Sequence, residues 1–165
     1  MSKTRLEMAD GGEIAEWVGS RIPHVGADGF GACQGIWVRS ERRTLAGVVF
    51  HEWQPGHRNI QLSMAADSPL WARRDLIAGI LAYPFRQLDA WMVYTMTPED
   101  NLRALRVNER IGFDGPVLIS HWFGRNRHGI IRRMLRPDYE YIYGCGHIEE
   151  GIEHGKESPE ASCAA

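Results

Sequence analysis

Apolar positions recur at helical spacing early in the chain. Ile14, Trp17 and Val18 share one face within residues 12–22, and Pro23 closes the segment, which predicts a first amphipathic helix. The glycine-rich run 25–35 reads as a loop. Residues 34–38 and 45–53 are short apolar runs separated by Arg39 to Arg43, the signature of a hairpin. In residues 59–65, Ile60, Leu62 and Met64 alternate with Gln61, Ser63 and Ala65, a third strand with one buried face. After Asp67, Ser68 and Pro69 the period lengthens, because Ile77, Ile80, Leu81, Pro84, Phe85 and Leu88 fall on one helical face. Pro84 lacks the amide hydrogen a helix needs and is expected to kink or end it near residues 80–84. Residues 91–96 read as a buried strand. Thr97, Pro98, Glu99 and Asp100 then supply a helix start, and the helix over 101–111 stops at Gly112. Residues 116–123 and 129–135 form an expected final hairpin. The order is strands, helix, strand, helix, strands.

With 165 residues, 44% of them hydrophobic, the chain has material for one core and not for two ordinary domains. The expected division is a folded domain over 1–143 and an acidic, disordered tail over 144–165, where few apolar residues remain to offset ordering entropy. Charge is uneven as well: residues 1–136 carry +4 and residues 137–165 carry −6. No run approaches the roughly 20 apolar residues of a membrane helix, and the first ten residues lack a signal peptide's apolar stretch, so a cytoplasmic location is expected. Cys33, Cys145 and Cys163 are an odd set without paired spacing, which fits free thiols in a reducing compartment.

The segment from Asn101 through Ala104 and Asn108 to Gly112 and Phe113 resembles the helix and turn that close the cofactor site in the GNAT superfamily of acetyl-CoA-dependent N-acetyltransferases. The strand over 59–65, the helix reaching Phe85 and the strand over 91–96 precede it in that family's order. The resemblance covers roughly residues 12–136. It looks closest to the branch that includes the ribosomal-protein alanine acetyltransferases and to small phage and prophage members. It implies a single-domain α/β GNAT fold with a central mixed, mostly antiparallel twisted sheet and flanking helices. It also implies acyl transfer from acetyl-CoA or another acyl-CoA to an amine by direct attack, and a homodimer.

On this resemblance two neighbouring strands splay, and the pantetheine lies in the gap like an added strand, beside Gln61, Ser63 and Ala65. The diphosphate is expected on the turn from Ser68 to Arg74, at the positive end of the next helix, with Trp71, Ala72, Arg73, Arg74, Asn101 and Asn108 completing the cofactor site. The turn departs from the family pattern, since Ser68-Pro69-Leu70-Trp71-Ala72-Arg73 holds no glycine to let the backbone approach phosphates. Arg73 and Arg74 could substitute through bidentate contacts. Many GNAT enzymes place a Tyr proton donor where Asn108 stands; Asn cannot act as an acid, but could hydrogen-bond the cofactor.

An amine nucleophile needs a base within reach. His51 and Glu52 end the strand before the splayed one, and adjacent strand residues face opposite ways, so one of them is expected in the cleft, with Glu52 preferred. Ser63 is a candidate for holding a water. Trp53 and Trp71 would flank the cleft. Cys145, His147, His154 and Cys163 are too unevenly spaced for a structural zinc site, and no metal is expected. His121, Trp122, Arg125, Arg127, Arg132, Arg133 and Arg136 mix cations with an aromatic, a composition that suits nucleic acid and equally a charged hairpin. Alternatives to acyl transfer are therefore a binding module that has lost CoA and a nucleic-acid base modifier. The acceptor could be a small molecule, a peptide or a nucleobase amine.

Overall fold

The computed structural model describes residues 3–25, 29–41 and 43–144. One seven-stranded sheet runs through it in the order β1-β2-β3-β4-β5-β7-β6. The strands are β1 (Arg5–Asp10), β2 (Cys33–Arg39), β3 (Thr44–Gln54), β4 (Asn59–Ala66), β5 (Met92–Pro98), β6 (Asp114–Ile119) and β7 (Gly129–Leu135). Every pairing is antiparallel except β4 with β5. The helices are α1 (Gly11–Gly19), α2 (Arg74–Ala82), α3 (Leu102–Ile111) and the short α4 (Arg136–Tyr139). This is the mixed, mostly antiparallel α/β sheet expected from the chain.

The two sheet faces bury different sets. Ile60, Leu62 and Met64 of β4 join Val48, Phe50 and Val93 in a core under α2. Val49, Trp37 and Ala65 meet Ile14 and Val18 of α1 on the other side. The strict alternation in β4 thus places Gln61 and Ser63 on the α1 face, as period-2 geometry requires.

Local chemistry explains the element ends. Asn101 accepts a hydrogen bond from the Ala104 amide at 3.2 Å, capping α3, and Gly112 closes it with φ 107°, a left-handed turn that glycine takes without steric cost. As expected near Pro84, the α-helical ladder of α2 ends at Ala82, and a wider π turn over Tyr83–Gln87 follows that accommodates the missing donor. Strand β1 and the helical turns over residues 136–144 are additions to the elements that the pattern predicts. The strand expected over 116–123 begins earlier and ends earlier, at Asp114–Ile119. Residues 145–165, which hold the expected tail with Cys145, His147, His154 and Cys163, lie outside the described residues. No helix among the described residues is long and apolar enough to cross a membrane.

Candidate active site

The pairing of β4 with β5 is short. Asn59, Ile60 and Gln61 lie beside Met92, Val93 and Tyr94, and beyond them each strand keeps only its antiparallel neighbour, β3 for β4 and β7 for β5. The strands part from Leu62 and Thr95 onward, so backbone amides and carbonyls face a gap in mid-sheet. Such groups can take an extended ligand much as they would take a strand. The gap also joins the two faces: α2 and α3 follow the splayed strands on one side, and a cavity opens on the other.

On the helix side the Ser68 to Arg74 turn is built differently from expectation. Ser68 accepts from the Leu70 amide at 3.4 Å and starts a 3-10 turn, Pro69–Trp71. Trp71 is 6% exposed and packs in the main core, which corrects its assignment to cofactor and cleft; Trp53 likewise packs against that core. Ala72 is exposed. Helix α2 starts at Arg74 with no side-chain cap, leaving first-turn amides for an anion. The two arginines, however, are engaged. Arg73 grips Asp75 through two bonds of 3.1 and 2.7 Å, and Arg74 donates to the Ile142 carbonyl and stacks on Tyr143. Asn108 is 9% exposed and gives both amide protons away, to Thr95 and Thr97 at 3.1 Å each. It ties α3 to β5, leaving only its carbonyl oxygen for another partner.

On the α1 side a polar row crosses the sheet where the gap closes. His51, Gln61, Tyr94 and Arg133 are successive register partners on β3, β4, β5 and β7. They line a cavity of about 620 Å³ together with Glu52, Met92, Met96, Ile119, Ile131, Trp122 and Phe30. Glu52 enters because β3 is bulged: its φ is 55° and the β3–β4 register breaks between His51 and Gln54. A bulge re-aims a side chain, so His51 and Glu52 both face the cavity, and the expectation that only one could do so is corrected.

His51 is 7% exposed, sits 2.9 Å from the Ser63 hydroxyl through Nε2 and packs its ring 4.9 Å from Phe30. Burial pushes its pKa below 6.5, opposed in smaller part by the negative charge of Glu52. Burial thus favours the neutral imidazole, the form able to accept a proton. Burial pushes the Tyr94 phenol up, and Glu52 adds to the effect. A second cavity adjoins the first above Ser63, between His24, Phe123 and Arg127.

Of the residues expected from the sequence, Glu52, Gln61 and Ser63 come together here, while Ala65 lies further along β4 against the α1 core. Tyr94 and Phe30 carry no signal in the sequence, and Arg133 and Trp122, singled out there only within the basic and aromatic set of the final hairpin, line this cavity instead. Only the register of β5 with β7 brings Tyr94 beside Arg133, and no local spacing carries that information. Three members of the basic set are engaged within the protein: Arg127 pairs with Asp100 at 3.3 Å, Arg132 donates to the Phe113 carbonyl, and Arg136 binds the Phe85 carbonyl and Asp89.

An open, mostly antiparallel sheet whose central parallel pair splays, with a helix after each splayed strand, is the GNAT N-acetyltransferase fold, and solved structures agree. A point mutant of spermidine N-acetyltransferase SpeG from Vibrio cholerae superposes with TM-score 0.68 at 17% identity, over 82% of this chain and 95% of that one. The Vibrio cholerae enzyme in complex with CoA and spermine gives TM-score 0.65 at 18% identity, over 82% and 97%. A dodecameric form in an intermediate state gives 0.67 at 16%, over 87% and 98%. No protein-family model matches the chain, and no curated protein matches it.

Proposed function

We propose that this chain is an N-acyltransferase that moves an acyl group from acyl-CoA to an amine by direct attack. The observation that carries the reading is the splay of β4 from β5 immediately beside the His51, Glu52 and Ser63 cluster. Acetyl-CoA, or another acyl-CoA, would supply an activated thioester. It would be held by the free backbone of β4 next to Gln61, Ser63 and Ala65, and by the uncapped first turn of α2. The Glu52 carboxylate draws the incoming ammonium to the mouth of the gap. Neutral His51, hydrogen-bonded to Ser63, takes the proton that the amine must lose. With that proton gone from the ammonium, the neutral amine nitrogen bonds to the carbonyl carbon as the carbon–sulfur bond breaks, and the second proton that the nitrogen then sheds passes through Ser63 or water to the departing thiolate and completes the thiol. Asn108 holds α3 in place and lacks an acidic proton for this step.

A second reading, a GNAT-shaped module without CoA, is favoured by one observation: Arg73 and Arg74 are both engaged and Asp75 sits in the first turn of α2, where a carboxylate competes with a diphosphate. Isothermal titration with acetyl-CoA separates the two. Binding in the micromolar range, followed by thiol release in the presence of an amine, is the outcome expected of the transferase. Absence of heat at millimolar acetyl-CoA establishes the second reading instead.

A further inference from the structure

The two charged groups that line the large cavity point to its acceptor. Among the described residues Glu52 is the only acidic residue that lines it and Arg133 the only arginine. Neither has an ion-pair or hydrogen-bond partner among the described residues. Arg133 is set apart in this respect from its neighbours Arg127, Arg132 and Arg136, each of which is engaged. Asp114 is its register partner on β6, yet no ion pair forms. The guanidinium lies instead over Gly115, with Nη1 2.9 Å from where a Cβ would stand, a position that only a residue without a side chain leaves open. An unpaired guanidinium on the wall of a largely apolar cavity is a ready receptor for a planar anion.

The charges stand at opposite ends of the polar row. His51 and Arg133 are three strand spacings apart, about 14 Å between backbones, and Glu52 adjoins His51. Between them the floor is Met92, Tyr94 and Met96 of β5 with Ile131 of β7, and Trp122 closes one side. From this arrangement, and resting on the acyl-transfer reading above, we infer that the acceptor is an amine that also bears a carboxylate, with an apolar body between the two groups. The ammonium lies at Glu52, next to the gap and to His51; the carboxylate lies at Arg133; the body covers the methionines. A polyamine fits poorly, because its second cation would meet Arg133 rather than a second acid.

The test uses the purified full chain and pairs of amines that differ in the carboxylate alone: 6-aminohexanoate against hexylamine, and 8-aminooctanoate against octylamine, with spermidine as a fifth acceptor. Binding is followed by tryptophan fluorescence without acetyl-CoA, and turnover by thiol release with it. The expected result, in at least one pair, is that the carboxylate-bearing member binds about tenfold or more tightly, the scale of one charged hydrogen-bonded contact, and shows a matching advantage in kcat/KM. Arg133→Met should bring the members of that pair to within a few-fold through KM, and Arg133→Lys should restore part of the difference. Equal or better binding of the neutral amines, superiority of spermidine, or no binding by either carboxylate-bearing amine overturns the inference. Selective binding with no thiol release from any acceptor upholds the inference about the cavity and rejects acyl transfer.

Discussion

At the scale of single residues the site turns on buried polar groups with definite partners. His51 and Ser63 are 2.9 Å apart beneath Phe30, and burial lowers the imidazole pKa. The unfolded side chain, near 6.5, therefore binds a proton before the folded one does. The stability this represents is present above about pH 6.5 and is lost as pH falls from there through the folded value. His24 acts in the same direction, through burial and then the charge of Arg127. The melting temperature is thus expected to fall more steeply between pH 7 and pH 5 in the wild type than in His51→Gln, by scanning calorimetry in matched buffers. The acid limb of kcat/KM should shift or vanish in the same variant if His51 takes the proton. Asn108→Ala removes two buried hydrogen bonds to Thr95 and Thr97 and leaves both hydroxyls without that donor. We expect a loss of about 1–3 kcal/mol in urea denaturation.

Among the elements, helix–sheet contact is the tightest constraint. A Cβ on Gly35 of β2 would overlap the Ile14 side chain, so α1 could not keep its distance from the sheet. Gly35→Ala should cost about 1–3 kcal/mol as overpacking, readable as a lower denaturation midpoint. The start of α2 is the element whose charge decides cofactor affinity. Asp75→Asn removes the acid from the first turn and frees Arg73 from its bidentate pair. Acetyl-CoA should bind several-fold more tightly to this variant by titration; weaker binding would place the diphosphate elsewhere. Helices α1, α2 and α3 and the strand β4 were legible because each has a clean period or a start or stop residue: Asn101 and Gly112 for α3, the alternation from Ile60 to Ala65 for β4. Strand β1 was not, since Arg5–Asp10 is a half-exposed edge with no continuous buried face and its pairing with β2 lies across α1 and a loop.

For the molecule as a whole, the chain returning from β7 locks the helix face. Tyr139 is 2% exposed, stacks 4.9 Å from Phe85 and donates to the Ala78 carbonyl of α2. Tyr143 donates to the Ile111 carbonyl of α3 at 2.7 Å. Residues 136–144 therefore bridge the two helices that flank the gap, and belong to the folded domain rather than to a tail. Tyr139→Ala should cost about 3–5 kcal/mol, as deletion of a buried aromatic does, and should weaken acetyl-CoA binding along with stability. Removal of residues 145–165 tests the expected boundary directly: an unchanged denaturation midpoint would place the end of the folded domain at or before residue 144.

The amino-acid sequence by itself determined the periods, the caps and the breakers, and hence the helix after each central strand. These are local properties, set by side chains within a few positions of one another. It also singled out Glu52, Gln61 and Ser63, which line the two adjoining cavities beside the gap. Tertiary structure alone decided that His51 and Glu52 share one cavity, because a bulge with φ 55° overrides strand alternation. It alone committed Asn108 and Trp71 to packing, and aligned Tyr94 and Arg133 with Gln61 through pairing between strands that are far apart in the chain. Register between distant strands follows from the whole core, since each partner is chosen by what the others leave to be buried.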